Sequence, residues 1–388
     1  MPDPSVADHR TRVRQALTPL PGPVEVPLAG ARGRVLATDV VAALAVPPFD
    51  HAAMDGFAVR AADIGSVPVE LPVTGVVAAG DPVPTLAAGT AIRIMTGAEL
   101  PPGADLVVPF EWTTGTDPVR VLETAAAGRH VRRRGEDVDA GEVAVPAGTT
   151  LGPAHVGLLA SVGHRTVPVR PRPRLGVLST GAELVNGDVP DSNSATIAAA
   201  AAGLGAEVTC FGPVGDDPAA FRARLRDAAA ASDLVVTTGG ISAGDHDVVK
   251  AVLRDEPGFW FGKVAQRPGR PQGFGVLDVD GRAVPVLTLP GTPVAAYGAF
   301  LLYGRDALAV LAGDPAGAPV RRVRLGAPVH AGDRTVLLPG VYDDNGHVVP
   351  LPGHAGHSQR LLARAEVLLV VPPLGRTLEA EAIEVLDL

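Results

Sequence analysis

The chain has 388 residues, a net charge of −9 at neutral pH, 46% hydrophobic residues and a single cysteine. Such a length exceeds one ordinary core and predicts roughly two to four domains; the acidic balance argues against a nucleic-acid partner, because nothing offsets phosphate repulsion globally. One cysteine excludes a disulfide framework and a cysteine-based metal site, which fits a reducing cytoplasm.

The first ten residues carry no apolar signal core, and no later apolar run is expected to span a membrane. Residues up to about Leu17 read as a helix with Val6 and Val13 on one side, followed by a proline-rich connection through Pro23. Residues 51–127 show short strands punctuated by Gly and Pro, which predicts a small β domain. Residues 1–50 and 128–170 flank it and are assigned to one discontinuous linker domain. They include a basic run, Arg132, Arg133 and Arg134, and a helix near Pro153.

From Pro171 the pattern becomes an alternation of strand and helix that lasts to about Gly313. Strands are expected at 175–178, 208–211, 234–236 and 284–289, and Cys210 falls in one of them as a core residue. Asp217 followed by Pro218 marks one helix start, and Asp191 opens an alanine-rich helix closed by Gly205. Repeated alternation implies a mainly parallel sheet covered on both faces. After a Gly-Asp-Pro-Ala-Gly linker, residues 318–388 read as a second β domain. The fold class is therefore α/β plus β, in several domains.

The most informative stretch runs from Asp233 to Lys250. A β-branched run (Leu234, Val235, Val236) stops at Thr237-Thr238-Gly239-Gly240, and a helix follows beyond Asp247. Strand, glycine-rich loop and helix start together favour an anion. Asp245 and Asp247 would repel a phosphate unless a divalent cation lies between them, which points to a Mg²⁺–phosphate site. A tight β–α connection whose acids cap a helix fits the same residues.

Ligands of open parallel sheets lie beyond the carboxyl ends of the strands. Three such ends carry polar, glycine-bearing loops: Ser179 to Glu183, Thr237 to Asp247, and Leu289 to Pro293. Lys263, Arg267 and Arg270 add cations nearby. Of the 33 basic residues only Lys250 and Lys263 are lysine, a hint that a compact ammonium is wanted near the glycine-rich loop. Gly240-Ile-Ser242-Ala-Gly244 also fits a nucleophile elbow. Its flanking acids disfavour oxyanion charge, and the histidines 330, 347, 354 and 357 lie beyond the α/β region, so a serine hydrolase is disfavoured.

Six motifs in order resemble the molybdopterin molybdotransferase family (the MoeA and gephyrin E-domain type) over nearly the whole chain. They are Ala53-Met-Asp-Gly-Phe-Ala-Val59, Arg93-Ile-Met-Thr-Gly-Ala98, Gly135-Glu-Asp137, Thr180-Gly-Ala-Glu-Leu184, Gly239-Gly-Ile-Ser-Ala-Gly-Asp-His-Asp247 and Leu289-Pro-Gly-Thr-Pro293. The resemblance implies an elongated homodimer of four-domain subunits, with a MogA-like molybdopterin-binding domain whose active site is completed by the partner subunit. It implies an enzyme of molybdenum cofactor biosynthesis that takes adenylylated molybdopterin and molybdate as substrates, uses Mg²⁺ and releases AMP.

Carried over by position, Asp55, Asp137, Glu183, Asp216, Asp247 and Lys263 would be catalytic. Glu183, Asp245 and Asp247 would face the metal. Thr180, Gly239, Gly240, Ser242, Asp245, Lys250, Arg267, Arg270, Gly291, Thr292, Pro293 and Ser358 would bind substrate. Turn or cap duty is an equal alternative for Asp137 and Asp216. Molybdopterin adenylyltransferase and molybdoenzyme apoproteins are the implied partners, without membrane or nucleic acid.

The chain departs from the family pattern at His51-Ala52 (usually Asn-Ser), Ala182 (usually Asp), Arg267 and Arg270 (usually Lys) and Thr292 (usually Asn). Leu338 falls where an arginine is expected, and Gly356 where a glutamine is. Two alternatives to insertion therefore stand beside it: a paralogue that binds a pterin nucleotide or oxyanion without turnover, and a gephyrin-like scaffold.

Overall fold

The computed structural model describes residues 3–241, 247–314, 317–353 and 358–388. The chain packs as two compact units, one formed by Met1–Val24 with Arg170–Leu388 and the other by Glu25–Val169.

The first unit is built on a six-stranded sheet. Its order is Glu207–Val214, Arg174–Thr180, Leu234–Thr238, Arg282–Leu289, Pro271–Val279 and Trp260–Lys263. The first four strands are parallel, and Pro271–Val279 runs antiparallel to both of its neighbours, Arg282–Leu289 and Trp260–Lys263. Leu234–Thr238 is buried at every residue, as a central strand covered on both faces requires. Glu207–Val214 is the edge strand, so Cys210 is exposed and not the core residue its apolar neighbours suggested. Asp280-Gly281 closes an antiparallel hairpin between Pro271–Val279 and Arg282–Leu289, with Gly281 donating to Asp278 Oδ1 at 2.8 Å. That turn pair favours positive φ at both positions, and both adopt it here.

Helix starts follow their caps. Asp191 accepts from the Ser194 amide to open Ser192–Gly203, and Asp217 accepts from Ala219 and Ala220 to open Pro218–Ala231. The helical run Pro293–Leu311 has 19 residues and a mean hydropathy of 1.3, long and apolar enough to cross a membrane. This corrects the expectation that no apolar run reaches that length; its apolarity is explained by burial, since 83% of it lies inside the protein.

The N-terminal helix Val6–Gln15 begins with a Ser5/Asp8 capping box and buries Val6, His9 and Val13. Their i, i+3, i+7 spacing forms one stripe, which joins the core around Phe300, Leu302 and Tyr303. Residues 1–24 thus belong with the α/β unit and not with residues 25–50, because this is where the helix finds an apolar partner.

The C-terminal sheet runs Gln266–Arg267, Thr335–Tyr342, Val367–Val371, Ala382–Asp387 and Arg321–Arg324. Alternation along Thr335–Tyr342 sends Leu337 into the core shared with the α/β helices and Leu338 into the C-terminal core. Leu338 is 5% exposed. It packs in the C-terminal core.

In the second unit, Gly56–Val59 pairs with Ala91–Ile94 and Leu106–Pro109. Ala58 faces one apolar cluster while Phe57 and Val59 face another. A methyl group on Gly56 would lie 2.0 Å from the Val108 carbonyl oxygen, so only glycine fits. Helix Pro153–Ser161 buries Leu159 against Leu36, Val145 and Leu151.

Candidate active site

A cavity of about 590 Å³ opens where the parallel strands Arg174–Thr180, Leu234–Thr238 and Arg282–Leu289 end. All three loops predicted to converge there do so. Thr180, Glu183, Asp216, Gly239, Gly240, Asp247, Gly291, Thr292 and Pro293 line it. Ser242 and Asp245, from the same glycine-rich loop, lie outside the described residues, as does Gly356.

The wall is made of backbone because glycine lets the loops touch. Gly239 (φ +85°) and Gly240 (φ +63°) adopt the left-handed region. A methyl group on Gly291 would lie 3.3 Å from Gly239 Cα. Hydrogen bonds fix the approach: Gly239 donates its N–H to the Leu289 carbonyl at 3.1 Å, and the Thr180 hydroxyl donates to the Thr238 carbonyl at 3.2 Å. Asn193 Nδ2 donates to the Gly291 carbonyl at 2.8 Å and ties the start of Ser192–Gly203 to the third loop. The Thr238 hydroxyl oxygen is buried on this wall without a hydrogen-bond partner among the described residues, and so is suited to a polar ligand atom.

Glu183, Asp191, Asp216 and Asp247 bring four carboxylates to the cavity, and among the described residues no lysine or arginine lines it. Asp191 is committed structurally, accepting from Ser179 Oγ at 2.5 Å and the Ser194 amide at 3.0 Å. Helices Ser192–Gly203 and Pro293–Ala299 point their N-termini at the space, so dipoles favour an anion while the acids oppose one. A hard cation between acid and anion resolves the conflict. Carboxylate oxygens are the donors such a cation prefers, although no cluster of three metal-ligating side chains forms among the described residues.

The predicted cations stand beside the cavity and not in its wall. Lys263 is exposed at the end of Trp260–Lys263, and Arg267 is exposed on Gln266–Arg267. Arg270 lies between the lining residues Gly269 and Pro271, yet its Nε donates to Asp3 Oδ2 at 2.7 Å. The Asp3 carboxyl is held below the usual range first by that hydrogen bond and then by the charges of Arg270, Arg334 and Lys263. Arg334 is not among the residues the sequence motifs mark; it reaches this cluster because the Thr335 amide donates to the Ala265 carbonyl. No local motif announces that long-range pairing.

Lys250 is half-buried in Val248–Leu253 and does not line the cavity. Ser358 precedes helix Gln359–Leu362, where Gln359 Nε2 donates to Ser192 Oγ at the cavity rim, 3.0 Å away.

Asp55 and Asp137 belong to the second unit and are exposed. Asp55 Oδ1 accepts from both the amide and the hydroxyl of Thr96 at 2.7 Å, which holds its carboxyl below the usual range. The Asp137 amide donates to the Val46 carbonyl at 3.0 Å. A smaller cavity of about 260 Å³ in this unit is lined by Phe57, Arg93 and Phe110, with the Arg93 guanidinium 5.1 Å over the Phe110 ring.

A glycine-walled, acidic cavity at the ends of parallel strands, with cations alongside, lies where open α/β sheets take their ligands, beyond the carboxyl edge of the sheet. Residues 4–163 match the family described as MoeA N-terminal region (domain I and II), and residues 176–310 match the probable molybdopterin binding domain. Molybdopterin molybdenumtransferase 2 of Mycobacterium tuberculosis is 40% identical over 391 residues, covering 95% of each chain. Molybdopterin molybdenumtransferase 1 of the same organism is 37% identical over 408 residues, again covering 95% of each. The crystal structure of a molybdopterin biosynthesis MoeA protein from Pyrococcus horikoshii superposes with a TM-score of 0.81 at 30% identity, covering 100% of this chain and 99% of that one. The chain belongs to the MoeA family of molybdopterin molybdenumtransferases.

Proposed function

We propose that this chain is a molybdopterin molybdotransferase: it takes adenylylated molybdopterin and molybdate, places molybdenum on the dithiolene and releases AMP. The observation that carries the reading is the cavity itself, built from the three loops whose motifs define the resemblance. The absence of side chains at Gly239, Gly240 and Gly291 leaves room for a phosphate, and the helix starts at Ser192 and Pro293 face it. Lys263, Arg267, Arg270 and Ser358 are assigned to the oxyanions. Asp55, Asp137 and Asp216 are assigned as functional carboxylates.

Mg²⁺ belongs to the same reading, held by Glu183, Asp247 and Asp245. When bound it would neutralise phosphate charge beside the carboxylates. The protein's own part is to orient the nucleotide against the oxyanion and to stabilise charge at the departing phosphate. We infer a cytoplasmic homodimer that receives its substrate from molybdopterin adenylyltransferase and delivers its product to molybdoenzyme apoproteins.

The test is AMP release from adenylylated molybdopterin, with and without molybdate and Mg²⁺, for the wild type and Asp247→Asn. Release that needs both additions and is lost in the variant supports insertion. Tight nucleotide binding without release would replace it with the binding-paralogue reading, and no binding at all would leave the scaffold.

A further inference from the structure

The N-terminal residues reach the cation cluster in a fixed way. The Pro4 carbonyl accepts the Ala265 amide at 2.8 Å, and Ser5 caps the first helix, so Asp3 is pinned one residue from an anchored point. Its carboxylate meets Arg270 Nε at 2.7 Å. Lys263 is brought close because it pairs with Pro271 across the sheet and the Val264 amide donates to the Arg270 carbonyl at 2.7 Å. Arg334 is brought close by the Thr335–Ala265 bond, and its own acidic neighbour Asp333 is 4.0 Å away and 91% exposed. Three cations thus act on the Asp3 carboxylate, and with Asp333 counted beside Arg334 positive charge still exceeds negative among these groups, which favours an incoming anion.

We propose that Asp3 is an internal counter-ion of the Lys263, Arg270 and Arg334 cluster, sitting where a tetrahedral dianion binds and leaving Arg270 when that anion arrives. This rests on the assignment of Lys263 and Arg270 to oxyanion binding. Asp3 is a positioning residue: it keeps the Arg270 guanidinium directed to the cluster in the free protein. It also sets affinity, because every anion must compete with it. A monoanion gains little from the exchange, whereas a dianion replaces one charge by two, so the device selects for dianions such as molybdate or a phosphate group.

The experiment is calorimetric binding of molybdate alone, and separately of inorganic phosphate, to the full chain. The variants are Asp3→Asn, Asp3→Glu, Arg270→Gln and the Asp3→Asn/Arg270→Gln double. Asp3→Asn is expected to tighten dianion binding about two- to fivefold, the range of an exposed ion pair. Asp3→Glu should keep wild-type affinity, and the gain should vanish without Arg270. A gain for molybdate only names the metal oxyanion as the displacing ligand, a gain for phosphate only names the nucleotide phosphate, and either supports the proposal. Unchanged or weaker binding in Asp3→Asn, a gain that survives Arg270→Gln, or no binding by any form would overturn it. Because no turnover is read, tighter binding together with absent AMP release would sink the insertase reading and leave this one standing.

Discussion

A methyl group placed on Gly239 would lie 2.8 Å from the carbonyl oxygen of Thr180 and 2.9 Å from its hydroxyl oxygen. Two parallel strands therefore end in loops that touch through backbone, and that contact forms the cavity wall. Gly239→Ala meets both this clash and a φ of +85°, so it should destabilise the protein by roughly 1–3 kcal/mol and part the two loops. Urea unfolding with nucleotide binding measured in parallel checks both halves; an alanine variant of unchanged stability and affinity would contradict the close approach.

Much of this site is legible in the amino-acid sequence. The β-branched run before Gly239, the acids that follow it and the Asp-Pro cap at Asp217 are local signals, and local signals set strand ends and helix starts. The rest is decided by contacts distant in sequence. Arg334 joins the cations only through a strand pairing about seventy residues away, which no pattern around it specifies. Leu338 and its neighbour Leu337 enter different cores, a division set by strand pairing and not by any motif around them. Cys210 has apolar neighbours, yet strand order puts its strand at the edge.

Adjacent aspartates should separate stability from function. Asp217 caps Pro218–Ala231 by accepting from two amides, whereas Asp216 lines the cavity. Asp217→Ala is expected to cost about 1 kcal/mol of stability with AMP release nearly intact. Asp216→Ala should leave the unfolding midpoint within about 0.5 kcal/mol of wild type while AMP release falls at least tenfold. Equal losses of activity in the two variants would return Asp216 to turn duty.

The Asp55–Thr96 pair makes a pH prediction. Two hydrogen bonds from Thr96 lower the Asp55 carboxyl below its ordinary value of 3.8. The folded value is depressed, so this contribution to stability is present above 3.8 and fades as pH falls through the lowered value. Thr96→Val keeps the amide donor and removes the hydroxyl. The Asp55 titration, followed by carboxyl carbon NMR, should move upward toward the ordinary value, and the acid limb of AMP release should move with it. A titration that stays in place would show the amide alone to be sufficient.

His9 predicts the opposite end of the same acid range. It is fully buried, its ring centroid 4.5 Å from Tyr303 and 4.9 Å from Trp260, and neither ring nitrogen has a hydrogen-bond partner among the described residues. Burial first, and the charge of Arg12 second, push its pKa down from 6.5 to about 3. The folded form is thus neutral where the unfolded chain binds a proton. Stability is complete above 6.5 and is lost progressively as pH falls toward 3. At pH 5 the loss from this one residue should be about 2 kcal/mol, since each unit of difference is worth about 1.4 kcal/mol. His9→Phe removes the titrating group and its two buried nitrogens while retaining a ring against Trp260 and Tyr303. Urea unfolding at pH 7.5 and pH 5 should therefore show a smaller drop for His9→Phe than for the wild type. If both proteins lose stability equally across that interval, the acid sensitivity originates elsewhere and His9 is protonated in the fold.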